Sequence, residues 1–399
     1  MALFCWSLSY FLPVLEEEVS SHRGTLPLDG LRGVLAPAVF FHHAYLTYVF
    51  YKTGNWTTPA SNFYAQLGPT AVTMFFFISG YLFWGKMLKD PSSIRAGRLW
   101  PNRIRRILPA YWTAILLAFS VTAMVTNFEL RESMRRLIEH AGQWMLVGFP
   151  CLPDLNGLAQ ERVTGGVYWT LRTELIFYFA LPALVWFRKL SKLLLLFIGM
   201  GFVDYLLTRI PAQSGPLGCG VDVVQRFSLA MATSFAVGML AVYPRWNERL
   251  LGWLRSFWAS IACLILLVIQ FTRIPADYTW YEPILLAPVF VVVCAGNSFF
   301  GVLTSRPMRS LGQISYSVYI FHGVLLYVLS SLVNRHMAIA SMTPLRYWVA
   351  VIGISLVVVA FSLLTYCFIE RPFLPKRARL RPVVPIQIQT GRAGQVSSP

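Results

Sequence analysis

The chain is 399 residues long, 56% hydrophobic and only 13% charged, where ordinary soluble domains carry about a quarter charged residues. That excludes disorder, collagen-like repeats and a nucleic-acid-binding arm, each of which needs a polar or repetitive chain. The net charge of +17, from 34 Lys and Arg against 17 Asp and Glu, does not restore a nucleic-acid partner, because the basic residues lie in short segments between apolar runs. An all-α polytopic membrane protein remains.

Residues 1–26 form an N-terminal extension whose apolar segment, Leu3 to Leu15, reads as an interfacial anchor. It lacks a signal peptide's basic start and small-residue cleavage site, and Glu16, Glu17 and Glu18 follow it. A lipid-spanning helix needs about 20 largely apolar residues. Stretches meeting that pattern run Val34 to Tyr51, Phe63 to Trp84, Ile107 to Phe128, Tyr168 to Phe187 and Leu193 to Ile210, then Phe227 to Tyr243, Leu254 to Phe271, Ile284 to Phe300, Ile314 to Leu332 and Tyr347 to Phe368. These predict about ten transmembrane helices within a domain covering residues 27–373.

Lys and Arg are retained on the cytoplasmic side, so charge sets orientation. With both termini cytoplasmic, 21 of the 34 basic residues fall inside, seven of them between Lys86 and Arg106. A crossing by Leu137 to Leu152 would invert every later loop, so that segment reads as interfacial or re-entrant. Residues 374–399, rich in Arg, Pro and Gln, form a flexible basic cytoplasmic tail. The six cysteines show no CxxC spacing and read as inert core thiols. Cys151 and Cys219 both fall outside in this topology; only Cα geometry decides whether they pair.

Charged groups inside spans are costly, which makes each a functional candidate. Arg32 and His43 are eleven residues apart, returning to within about 20° of one helix face, roughly 16 Å apart along the axis. Asp29 shares that stripe if the helix extends so far, whereas His42 points elsewhere. The alternative for Arg32 is snorkelling to the headgroups. Pro37, between Arg32 and His43, is expected to kink the span.

In YWTLRTELIFYFALP, Glu174 lies less than two turns from the outer surface and needs a partner. His43 is available at similar depth, and a carboxylate beside an imidazole is how a general base is held; the competing reading is an acid tied up with an arginine. Arg172 lies about 200° from Glu174 around the helix and is expected at the outer interface. Ser315, Tyr319 and His322 recur at separations of four and three and share a face that could line a cavity. In RLWPNRIRRILPAYW, Arg103, Arg105 and Arg106 precede the third span with Arg98, two prolines and Trp100. This looks like a shaped polyphosphate site, with anionic lipid headgroups as the rival ligand.

Taken in order, these segments resemble the acyltransferase-3 family of integral-membrane acyltransferases, the group containing bacterial O-antigen O-acetylases, over Leu28 to Phe373. Arg32 and His43 correspond to its Arg, ten residues, His motif. MFFFISGYL from Met74 corresponds to its glycine-containing second span, and Arg103, Arg105 and Arg106 to its arginine motif. Glu174 corresponds to its intramembrane acid and His322 to its late-span histidine.

The resemblance implies transfer of an acyl group, usually acetyl, from cytoplasmic acyl-CoA to a hydroxyl of a carbohydrate or lipid-linked glycan. It also implies residence in a bacterial cytoplasmic membrane among membrane lipid. Acyl-CoA would be a co-substrate, with no tightly bound cofactor or metal. The sequence contains no fused SGNH hydrolase-like domain, so donor and acceptor are expected to meet within this domain or with a separate extracytoplasmic partner. His43, oriented by Glu174 or Asp29, would act as general base or carry the acyl group, with Arg32 stabilising developing negative charge. A transporter or flippase is the rival function, since intramembrane charges also mark translocation routes; no inverted repeat supports it.

Overall fold

The computed structural model describes residues 1–10, 26–149, 152–207, 229–243, 246–276, 278 and 281–374. Among these the regular structure is helical, with one isolated bridge between Leu155 and Leu158. The helices are α1 (Ala2–Tyr10), α2 (Leu26–Thr53), α3 (Asn62–Lys89), α4 (Ala96–Val125), α5 (Met134–Met145), α6 (Gln160–Thr164), α7 (Tyr168–Leu184) and α8 (Leu190–Leu207). They continue as α9 (Leu229–Leu240), α10 (Glu248–Leu254), α11 (Phe257–Arg273), α12 (Glu282–Cys294), α13 (Arg306–Gln313), α14 (Ser315–His336) and α15 (Pro344–Thr365). A π turn, Tyr366–Glu370, extends α15.

This is a multi-pass membrane protein. Among the described residues, α2, α3, α4, α7, α14 and α15 are long and apolar enough to cross a bilayer, and α10 with α11, bent by 52°, makes up to seven spans. The expected count of ten is not confirmed. The apolar run from Ile284 falls on α12, whose 13 residues rise only about 20 Å against a hydrocarbon core of about 30 Å. The runs predicted from Leu193 and Phe227 extend into residues 208–228, which lie outside the described residues; of them the structure gives α8 (Leu190–Leu207) and α9 (Leu229–Leu240). Hydropathy marks an apolar segment but does not say where its helix stops. The 12-residue α5 is too short to span, as expected of the segment around Leu137.

Other boundaries moved for local reasons. α3 runs on to Lys89, where the Asp90 carboxylate accepts from the Ser92 amide and nucleates a 3-10 turn. α4 begins at Ala96 and carries Pro101 and Pro109 within it, so the arginine motif lies on a helix rather than in a loop. Pro37 likewise sits inside a continuous α2.

Two sets of glycines bring backbones together. A Cβ on Gly80 or Gly238 would strike the carbonyls of Phe235 and Phe77 respectively, so α3 and α9 touch main chain to main chain. Gly30, Gly33 and Gly312 do the same for the start of α2, the turn at Leu303 and α13. Small residues that let helices approach are the usual device where both neighbours and solvent are apolar. α1 packs on α13 and α15, with Cys5 buried in that cluster; burial pushes its thiol up to about 12. Cys151 and Cys219 lie outside the described residues, as do all tail residues beyond Leu374.

Candidate active site

A cavity of about 940 Å³ opens between α2, α3, α4, α7, α12 and α14, the size of a site for a large organic ligand. One part of its wall is cationic. Arg103 and Arg106 are three residues apart on α4 and both line it, together with Arg32, Lys86, Lys89 and Arg255. Arg105 does not. It stands about 200° round the helix from Arg103 and is exposed. The Arg103 guanidinium lies 5.0 Å from the Phe83 ring centroid and 5.9 Å from that of Tyr178, stacking that holds the group without neutralising it.

Glu174 faces this cavity, and its partners are not those anticipated. Its Oε1 accepts from Ser79 Oγ at 2.7 Å and from the Tyr178 hydroxyl one turn along α7. The acid is therefore fixed among Ser79, Tyr178 and the Arg103 side chain rather than beside His43. Arg32 lies in the combined field of Arg106, Asp29, Glu370 and Glu174. Asp29 also reaches Arg309 electrostatically, and its carbonyl abuts Gly312, so it belongs to the α2–α13 junction. Arg172, expected at the outer interface, is 4% exposed and donates to the Gly148 carbonyl at 2.9 Å.

Thr170, Ser315, Tyr316 and Tyr319 also line the cavity. Ser315 is 1% exposed, and its hydroxyl has no hydrogen-bond partner among the described residues. The Tyr319 hydroxyl meets Thr170 Oγ1 at 2.6 Å. His322, the third member of that helical stripe, does not line the cavity; it lies behind Tyr319, ring centroids 5.9 Å apart. There it meets His43, with centroids 5.3 Å apart. The turn after α6 closes over this pair. Gly165, at φ +70°, would bring a Cβ within 3.5 Å of the His43 ring, and a Cβ on Gly323 would collide with the Thr164 carbonyl. His42 turns away, its Nδ1 on the Tyr64 carbonyl at 2.8 Å.

The site thus has two parts: a cavity with cationic side chains and Glu174 on its wall, and a histidine pair beside Tyr319, His322 buried and His43 half-buried, neither of which lines the cavity. Thr170, Ser79 and Tyr178 were not anticipated as site residues. Tyr178 was legible, being four residues after Glu174 and so on its face; Ser79 and Thr170 needed neighbouring helices. Among the described residues no group of three His, Cys, Asp or Glu side chains is placed to hold a metal ion.

The chain is 24% identical over 336 residues to the exopolysaccharide production protein ExoZ of Rhizobium meliloti (strain 1021), covering 83% of this chain and 95% of that protein. It is 26% identical over 394 residues to a protein of Bacillus subtilis (strain 168) provisionally named a peptidoglycan O-acetyltransferase, covering 88% of this chain and 55% of the other. A protein of Staphylococcus aureus (strain COL), provisionally named an O-acetyltransferase, is 22% identical over 374 residues, with 87% and 56% covered. The chain therefore spans nearly all of the rhizobial protein but about half the length of the other two. No solved structure is a significant match. The family profile described as an acyltransferase domain matches residues 27–367, a range that takes in Arg32, His43, the cationic cavity, Glu174 and His322 together, and the chain belongs to this acyltransferase-3 family.

Proposed function

We propose that the chain is a membrane-bound O-acyltransferase that moves an acyl group, most simply acetyl, from acyl-CoA to a hydroxyl of a carbohydrate or lipid-linked glycan such as an exopolysaccharide. The observation that carries this reading is the cavity itself, with cationic side chains and the hydroxyls of Ser315 and Tyr319 on its wall, Tyr319 lying against the His322 of the histidine pair. Arg103 and Arg106, with Lys86, Lys89 and Arg255, would hold the donor's phosphates on the cytoplasmic side. Arg32 joins that set. It is three helical turns, about 16 Å, from His43, too far to touch an oxyanion formed there.

His43 would act as general base on an acceptor hydroxyl and thioester that reach it beyond the Tyr319–Thr170 contact, since it does not itself line the cavity. It takes the acceptor's hydroxyl proton as that oxygen attacks the thioester carbonyl carbon; the carbon–sulfur bond breaks, and the CoA thiolate leaves with the proton returned from His43. The names of the relatives, one for exopolysaccharide production and two for O-acetyl transfer, support the acceptor class.

The test is incubation of the purified protein in nanodiscs with radiolabelled acetyl-CoA and a panel of membrane glycan fractions, comparing wild type with His43→Ala. Label reaching a glycan only with wild type establishes the activity. No acetyl-CoA binding by the wild-type protein overturns the reading and favours a transporter.

A further inference from the structure

The His43–His322 contact leaves two nitrogens unaccounted for, and both are sealed from solvent. His322 is fully buried, and its Nδ1 faces the carbonyls of Tyr319 at 2.8 Å and Val318 at 3.2 Å. Carbonyl oxygens only accept, so Nδ1 carries the hydrogen and Nε2 is left as a bare lone pair. Among the described residues that Nε2 has no hydrogen-bond partner, and neither does His43 Nδ1. Leaving a buried acceptor unsatisfied is costly, so its persistence beside a second unsatisfied imidazole nitrogen points to use. Rings 5.3 Å apart at their centroids and tilted by 37° bring two ring nitrogens to about 3 Å when these are turned toward each other, which is hydrogen-bond distance. Catalytic hydrogen bonds are often open before substrate binds.

The groups whose charge reaches His43 are His42 on its own helix and His322 on α14. α7's acid, Glu174, is held by Ser79 and Tyr178, and the turn at Gly165 brings no charge. In this water-poor interior a protonated His43 would need an acceptor, the place a carboxylate takes in a serine-hydrolase triad.

We propose that His322 is the positioning residue of the transfer: its Nε2 accepts a hydrogen bond from His43 Nδ1–H. This holds His43 in the tautomer whose Nε2 is free to take the acceptor's proton, and steadies the imidazolium until the thiolate receives that proton. His322 itself is never protonated, and no bond to it forms or breaks. The proposal rests on the acyltransferase reading above and adds a second imidazole to it.

Gln and Asn separate this from a structural role, because a Gln side chain sets its carbonyl oxygen near the position of Nε2, while Asn sets its amide nitrogen near Nδ1. Each of His322→Ala, His322→Gln and His322→Asn is assayed in nanodiscs with radiolabelled acetyl-CoA and the glycan fraction that wild type labels. Thermal midpoints and donor KM are recorded alongside. The expected result is a kcat loss on the order of 100-fold for Ala and Asn, recovery of at least about a tenth of wild-type kcat by Gln, and unchanged donor KM. Recovery by Asn rather than Gln, or a Gln variant as slow as Ala, overturns the proposal in favour of a packing role, as does a fully active Ala variant. Absence of transfer by the wild-type protein itself would instead remove the acyltransferase reading, and this proposal with it.

Discussion

Arg103, Arg105 and Arg106 are one motif in the sequence and two different surfaces in the protein. Arg103 and Arg106 share a face of α4 and line the cavity, whereas Arg105 is exposed on another. Replacing Arg103 or Arg106 with Ala should raise the donor KM about tenfold with kcat little changed, each lost phosphate contact being worth about 1–3 kcal/mol. Arg105→Ala should leave donor KM within about twofold, and an equal effect at all three positions would favour a general lipid-headgroup attraction. Glu174 supplies a second residue-scale test. Its carboxylate accepts from Ser79 and Tyr178, and a hydrogen bond to a charged group contributes about 1.5–3 kcal/mol. Glu174→Ala should therefore lower the thermal midpoint measurably, while Glu174→Gln, which keeps one acceptor, loses less. Cys5 makes the opposite statement. Buried, with its thiol raised to about 12, it should resist a thiol alkylating agent at neutral pH in the folded protein and react only after denaturation.

At the scale of elements, the segment around Arg32 is shaped by its glycines as much as by its charge. Gly30 and Gly33 flank Arg32, and any side chain there meets the main chain at Leu303 or Met308; Gly312 meets that of Asp29. Gly33→Val or Gly312→Val should cost about 2 kcal/mol or more, read as a lower thermal midpoint, and should weaken acetyl-CoA binding because Arg32 moves with the α2–α13 junction. Gly353 of α15 has open space where its Cβ would be, so Gly353→Ala should be neutral or stabilise by up to about 1 kcal/mol. A Gly312→Val protein as stable as wild type would show that the junction yields. The same logic separates what the helices announced in advance from what they did not. The runs at Val34, Phe63, Tyr168, Ile314 and Tyr347 lie within helices found close to where hydropathy placed them. That at Ile284 falls on a helix of 13 residues, because apolar character is needed equally by a span and by a helix buried inside the bundle.

For the whole molecule, the cavity concentrates positive charge from α2, α3, α4 and α10–α11, elements far apart in the chain. Attraction of a polyanionic donor to such a mouth is screened by salt over about 10 Å at 0.1 M. The donor KM should rise severalfold from low to half-molar salt while kcat holds; a salt-independent KM would remove the cationic wall from donor binding. Composition alone determined that this chain is helical and lies in a membrane, since an interior without water leaves the backbone few other ways to satisfy its hydrogen bonds. The order of Arg32, His43, the α4 arginines, Glu174 and His322 carried the resemblance to the family, and such residues stand out in a sequence because they are costly in lipid and their spacing along helices is a local property. Which of them meet was decided only by the tertiary structure. Glu174 pairs with Ser79 and Tyr178 while His43 pairs with His322, because depth along a span is readable from hydropathy but the neighbour across a helix interface depends on where backbones can close, and here that is at glycines.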